Sequence, residues 1–319
     1  MNWSIDSSST PARTRPESTI AGVPHVSVCV CTYRRPELLS RLLAELARQE
    51  THGLFTYSVV VVDNDRAESA RPVVARLARG YPAPIVYCVE PEQGIARARN
   101  RAVAAARGEF VAFIDDDEIP IAEWLLILFN TCRGRGVDGV LGPVKSRFDT
   151  EPPRWIQRCR FYDRVDHPDG MVIAGAQGRT GNVLLRSEVF RPGEQAFNPR
   201  FVTGEDQDFF RRKIAEGRVF VWSRHAVAYE IVPPARWTRS YVMRRALMRG
   251  RYSVLEPSFG ARTMAKSALA VCLYAPALPV LGALGEHHFM RYLDKLCYHA
   301  GRILGYLHVN PLGGTYVSE

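Results

Sequence analysis

Between residues 25 and 118 one pattern recurs: a short run of β-branched and other apolar residues stops abruptly at polar ones, and a stretch with helical periodicity follows. His25–Thr32, Tyr57–Val62, Ile85–Val89 and Phe110–Ile114 read as strands, nearly unbroken in apolar character, as suits strands covered on both faces. Pro36 opens a helix that carries Leu38, Leu39, Leu42, Leu43 and Leu46, and Arg71–Arg79 and the Ala/Arg-rich Gly94–Arg107 continue the alternation. Strands alternating with helices of this length form βαβ units, and such units build parallel sheets. The spacing predicts an α/β fold with a Rossmann-like, mostly parallel central sheet flanked by helices.

Open α/β sheets bind ligands outside the carboxyl ends of their strands. Polar residues cluster there four times: Thr32-Tyr33-Arg34, Asp63-Asn64-Asp65, Glu90 and Asp115-Asp116-Asp117-Glu118. The acidic run has two readings. Carboxylates two residues apart at a strand end can grip a hard divalent cation, which in turn holds a diphosphate. Alternatively the run is a solvated turn capping the next helix, since acids favour helix N-termini. No GxGxxG follows a strand and no GxxxxGK[ST] occurs, which argues against a dinucleotide-binding dehydrogenase and a P-loop NTPase.

The 319 residues are 46% hydrophobic and 24% charged, enough to bury a core, and exclude wholesale disorder or a disulfide-stapled miniprotein. The seven scattered cysteines show no zinc spacing and point to a reduced compartment. Residues 1–24, rich in Ser, Thr, Pro and Arg, read as a disordered lead-in without the pattern of a secretory signal. Beyond the acidic run, Ala122–Thr131 reads as a helix, Val183–Leu185 as a strand within TGNVLLRS, and Val219–Ile231 as a strand pair. GEDQDFF places Glu205 and Asp206 at the start of a helix whose Phe209 and Phe210 pack inward.

Taken together, VSVCVCTYRRPELLSRLLAEL, VVVVDND, GIARARNRAVAAARGEFVAFIDDDEIP, TGNVLLRSEVF and GEDQDFFRRKIAEG resemble, in order over about Val26–Pro234, the motifs of family 2 glycosyltransferases with the GT-A fold. The similarity is greatest to bacterial exopolysaccharide and succinoglycan-type glucosyltransferases. It implies inverting transfer of a hexose, glucose by preference, from a UDP-sugar to a saccharide hydroxyl. Carried over by residue, Thr32, Tyr33 and Arg34 meet the base and diphosphate, and Asp63 reads the uracil edge. Arg97 and Asn100 contact the nucleotide, and Asp115 and Asp116 lie on the donor side. Asp115 and Asp117 form the DXD pair, with Asp117 on the Mn²⁺ or Mg²⁺ ion. Asp206 is the catalytic base, with Glu205 beside it. Glu230 or His225 is a second metal ligand or an ordinary strand-end residue, and Gly181-Asn182 lines the acceptor side or makes a turn. No Gln stands three before Arg236-Trp237, so the QxxRW signature of processive relatives is absent. The implied organisation is a catalytic domain over 25–235, with a nucleotide part 25–120 and an acceptor part 121–235, then a basic and apolar helical region over 236–319.

That last region adds a partner. Arg236, Arg239, Arg244, Arg245, Arg249 and Arg251 precede Ser267–Gly285, which carries no charge but holds Pro276 and Pro279. The prolines predict a kinked, re-entrant or interfacial segment. The basic residues would face anionic headgroups, which places the protein on the cytoplasmic face of the plasma membrane, peripheral or monotopic, near a lipid-linked or oligosaccharide acceptor. The other reading is a buried helical hairpin, in a dimer or against the catalytic domain, which leaves homo-oligomers open. The chain's +9 charge does not itself choose among anionic partners, but basic residues beside an apolar segment suit lipid better than nucleic acid. A non-catalytic nucleotide-sugar or saccharide binding module on the same fold is the alternative function; the carboxylates at 115, 117 and 206 speak against it.

Overall fold

A computed structural model describes residues 22–191, 193–256 and 259–310. Nearly all of the expected lead-in, 1–24, lies outside them. The described residues divide into two compact units. The first comprises residues up to Lys145, Arg164–Arg200 and Gly204–Glu230; the second comprises Ser146–Asp163, Phe201–Thr203 and the residues from Ile231 onward.

In chain order the elements begin with β1 (His25–Thr32), α1 (Pro36–Leu46), β2 (Thr56–Asp63), α2 (Arg71–Leu77), β3 (Ile85–Val89), α3 (Ile95–Ala105) and β4 (Phe110–Ile114). Next come β5 (Glu118–Pro120), α4 (Trp124–Arg135), β6 (Gly139–Leu141), β7 (Val144–Arg147), α5 (Arg154–Cys159) and β8 (Asn182–Arg186). The chain ends with α6 (Glu205–Ala215), β9 (Phe220–Trp222), β10 (Ala228–Ile231), α7 (Arg239–Tyr252), α8 (Ala261–Leu284) and α9 (Glu286–Tyr306).

The main sheet has the order β3-β2-β1-β4-β8-β6-β9. β1 pairs in parallel with β2 on one side and β4 on the other, so the chain reverses direction across the sheet between them. That reversal opens a crevice at the strand ends where ligands bind in such sheets. β8 runs antiparallel to both β4 and β6, so the sheet is mixed. The strands predicted within Val219–Ile231 are present but do not pair: β9 joins the main sheet beside β6, and β10 joins a small sheet of order β5-β10-β7.

Alternation along the strands sorts the core onto two faces. Val26, Val28, Val30, Val59, Val61, Ala112 and Ile114 pack with Leu39, Leu42, Leu43, Trp124 and Phe129 of α1 and α4. Cys29, Val60, Val62, Val111 and Phe113 pack with Ala98 and Ala102 of α3 and Phe209 and Phe210 of α6. Each large side chain so buried contributes roughly 1.5–3 kcal/mol.

In the second unit, Trp155, Ile156, Cys159, Tyr162, Val232, Val242 and Met290 form a separate core. α9 packs against both α7 and α8. At the α7 crossing Gly250, Gly301 and Gly305 meet facing backbone, where a Cβ would come within 2.4 Å of a carbonyl oxygen. The kink expected at Pro276 and Pro279 does not end the helix: α8 runs through both.

Candidate active site

The carboxyl ends of β1, β2 and β4 place Thr32, Asp63 and Asp115 on one edge of the sheet. Thr32 is buried, and its hydroxyl donates to Asp116 Oδ2 at 2.7 Å. Arg35, which no motif singled out, donates to Asp116 Oδ1 at 3.2 Å and lies 3.5 Å from Asp117 Oδ2. Burial, with the charge of Asp117 beside it, pushes the Asp116 carboxyl up to about 7 against the pull of Arg35 and Thr32. Arg34 stands over the Tyr33 ring at 5.0 Å and pairs with Asp65 at 3.1 Å.

Asp63 is fully buried. Its Oδ2 accepts from Ala70 N at 2.7 Å and Tyr87 Oη at 2.9 Å, and its Oδ1 accepts from Asp65 N at 3.1 Å. Both oxygens thus brace the loop after β2 from within. Asn64 ties that loop to Glu90 O, Glu92 O and Gly94 N. On α3, Arg97 reaches outward to Glu92 at 2.8 Å. Asn100 clasps the backbone of Phe197, donating to its carbonyl at 2.7 Å and accepting from its amide at 2.9 Å.

The residue that joins the acidic groups is Arg99. It is buried, with Nη1 donating to Glu205 Oε1 and Nη2 lying 3.4 Å from Asp115 Oδ1. Burial opposes the guanidinium's charge, and Glu205, Asp115 and Asp206 more than offset it. Glu205 is likewise buried. Desolvation lifts its carboxyl to about 7 although Arg99 lies against it, because Asp206 and Asp115 add negative charge. Asp206, half-buried in the first turn of α6, accepts from Gln207 N at 2.8 Å. Gly204 takes φ +85° immediately before this turn, a conformation that costs glycine little and lets the acidic residues open the helix. The positive end of the helix favours Glu205, Asp206 and Asp208 there.

A third arginine missed in the sequence, Arg164, donates to Glu230 Oε2 and lies 4.0 Å from Glu118 Oε1. Glu118 and Glu230 sit opposite each other in the β5–β10 pair. Glu118 is almost fully buried, Oε1 has no hydrogen-bond partner, and burial pushes its carboxyl well up. A Cβ on Gly181 would meet Glu118 Oε1 at 2.8 Å and Asp115 Oδ2 at 3.0 Å, so this position stays glycine to leave those oxygens room. Asn182 is a structural clasp: Oδ1 accepts from Trp124 Nε1 at 2.7 Å, and Nδ2 donates to Pro143 O and Ala226 O.

The expected metal set of Asp115, Asp117 and Glu230 does not form a three-ligand cluster, and each of the three carboxylates lies against an arginine: Arg99, Arg35 and Arg164 in turn. His225 is exposed on the turn before β10. Among the described residues no three His, Cys, Asp or Glu side chains gather closely enough to hold an ion. A magnesium-like ion takes one or two carboxylates and fills its shell with water and phosphate oxygens. The acidic run, with its orphaned Glu118 oxygen, fits a cation held in that way. Beside the run, a cavity of about 330 Å³ is lined by Arg164, His167, Gln177, Arg179, Asn182 and Trp222.

Residues 27–198 match the model of Glycosyl transferase family 2, more than half of the chain. The chain belongs to this family. The succinoglycan biosynthesis protein ExoM of Rhizobium meliloti is 33% identical over 300 residues, covering 89% of this glycosyltransferase and 93% of ExoM. Among solved structures, the mannosyltransferase PcManGT of Pyrobaculum calidifontis, in complex with GDP-Man and Mn²⁺, superposes with a TM-score of 0.61 at 19% identity, over 91% of this chain and 89% of its own. TarS 1–349 of S. aureus in complex with UDP-GlcNAc gives 0.53 at 16% identity, over 90% and 93%. These likenesses show the GT-A fold, and the mixed sheet with its largely parallel nucleotide half agrees.

Proposed function

We propose that this enzyme transfers a hexose from a UDP-sugar to a hydroxyl of a growing saccharide, with inversion at the anomeric carbon, in bacterial polysaccharide biosynthesis. The observation that carries the reading is Arg99, whose guanidinium binds Asp115 after β4 and Glu205 at the start of α6, bringing both acidic motifs to one site. The resemblance to ExoM supports the polysaccharide role, and glucose is the expected sugar.

In this reading Thr32, Tyr33, Arg34 and Arg97 border the nucleotide. Asp63 and Asn100 support its pocket from behind, through the loop and the Phe197 backbone that they hold. Asp117 and Asp115, with Glu118 near, would hold Mn²⁺ or Mg²⁺. The chemistry such an ion would supply when bound is positive charge to offset the diphosphate's. Asp206 takes the proton from the acceptor hydroxyl as its oxygen attacks the anomeric carbon, and the bonding electrons leave with UDP. Arg99 and the helix terminus keep Glu205 and Asp206 in place for that transfer. The cavity beside Arg164 receives the acceptor, with Trp222 and His167 as its aromatic wall. The acceptor is lipid-linked, so the enzyme works at the cytoplasmic face of the membrane.

The test is UDP release from a panel of UDP-hexoses with Mn²⁺, with and without membrane extract as the acceptor source. Turnover of one donor, abolished by chelation, is expected. A folded protein that binds no nucleotide sugar refutes the reading, and binding without turnover even with extract reduces the protein to a sugar-nucleotide binding module.

A further inference from the structure

Among the described residues one helix, α8, is long and apolar enough to cross a membrane, yet little of it is buried. Leu269, Leu273, Val280 and Leu284 are 58–66% exposed. At about 100° per residue they fall within about 60° of arc, a straight stripe roughly 22 Å long. Exposed Arg262 and Lys266 continue the same stripe at its N-terminal end.

We infer that α8 lies in the plane of an anionic phospholipid bilayer, its leucine stripe among the acyl chains and Arg262 and Lys266 at the headgroups, and that it does not cross. The inference rests on the membrane-side reading above and names the surface and its chemistry.

Three observations support the in-plane position. First, α9 runs antiparallel along α8: Tyr292 and His299 stand against Tyr274, and His299 and Arg302 reach Ser267. A crossing α8 that kept this partner would draw Asp294, Lys295 and Arg302 into hydrocarbon, where charges are costly. Second, the tip of the hairpin is tied down, because Glu286 pairs with Arg239 at the start of α7. Third, Pro276 and Pro279 remove the amides that would bond the carbonyls of Cys272 and Ala275, and both of those residues are exposed. Interfacial water can satisfy such carbonyls, and the bilayer core cannot. The charge also fits. Residues 231–310 carry eleven Lys and Arg against three Asp and Glu, a surplus of eight in a chain whose total is nine. Polybasic surfaces of this kind are drawn to anionic headgroups.

The full chain is floated with vesicles of phosphatidylcholine containing phosphatidylglycerol, and with phosphatidylcholine alone. A fluorophore is placed on Cys272, an exposed thiol within α8, and quenched by spin labels at two bilayer depths. Expected are at least tenfold more binding to the anionic vesicles, a comparable loss in Leu273→Glu and in Arg262→Glu/Lys266→Glu, and stronger quenching by the shallow label. Stronger quenching at the bilayer centre means a crossing helix and overturns the inference. So does failure to bind vesicles, whether the protein is monomeric or forms a dimer that Leu273→Glu dissociates, the latter meaning that a second copy covers the stripe. UDP binding is measured on every variant. Its absence in the parent protein would sink the catalytic reading while the depth measurement still reports on α8.

Discussion

Replacing Arg99 by methionine removes a cation that Glu205 and Asp115 share while keeping most of the side chain's volume. Glu205 is 4% exposed, so the variant leaves a buried carboxylate without its partner. Breaking one side of a buried pair costs about 3–5 kcal/mol. For a unit of this size that lowers the melting temperature by roughly 10 °C. The loss depends on pH with a definite sign. Glu205 already titrates at about 7 in the fold against an ordinary 4.5, so its contribution to stability is greatest below 4.5 and falls as pH rises through 7. Without Arg99 the carboxyl rises further, so the deficit of Arg99→Met is largest at pH 8 and shrinks toward pH 5, where Glu205 is protonated. Calorimetric unfolding at pH 5, 6, 7 and 8 measures this. The double variant Arg99→Met/Glu205→Gln should recover much of the loss, because no buried charge is left unpaired. An equal deficit at pH 5 and pH 8, or a double variant no more stable than Arg99→Met, would refute the bridging role.

Asn182→Ala strips Trp124 Nε1 of its acceptor and removes a donor from Ala226 O and one of the two donors to Pro143 O, a loss of about 2–4 kcal/mol readable by urea unfolding. Gly181→Ala crowds Asp115 Oδ2 and Glu118 Oε1; calorimetry should find the fold nearly unchanged but the Mn²⁺ needed for half-maximal turnover raised about tenfold, since one ångström of misplacement is expensive at such sites. Asp63→Asn puts an amide donor where Ala70 N and Tyr87 Oη already donate, so it should lower stability by about 1–3 kcal/mol. Comparing UDP with GDP on that variant shows whether Asp63 also reads the base.

Much of the nucleotide half is legible because local signals are consistent there. β1, β3 and β4 begin and end where the apolar runs do, and the polar residues after β1, β2 and β4 share one sheet edge as the strand-end argument requires. What the sequence hides is long-range. β8 is antiparallel because the chain reaches it through the irregular segment before Thr180 instead of a crossover helix, and no periodicity in TGNVLLRS reports direction. β9 and β10 look like a hairpin locally, yet tertiary pairing sends them to different sheets.

The acids of the site stand out as motifs, whereas their arginine partners do not. Arg99 occupies the buried face of α3 with Ala96 and Ala102, three residues to either side, and that spacing is the signal that could have marked it above the outward Arg97. Arg35 and Arg164 carry no such mark, since only the folded chain brings them to Asp116 and Glu230. Pro276 and Pro279 point to a kinked, re-entrant or interfacial segment without saying which, and the fold shows one continuous helix, α8, running through both and packed against α9.

Donor binding and turnover measured side by side on Asp206→Asn test the central claim most directly. If Asp206 takes the acceptor's proton, the variant binds UDP-hexose as tightly as the parent and loses at least a hundredfold in kcat. Turnover within a few fold of the parent's, with binding intact, would contradict the assignment of the base and the account of the site built around it.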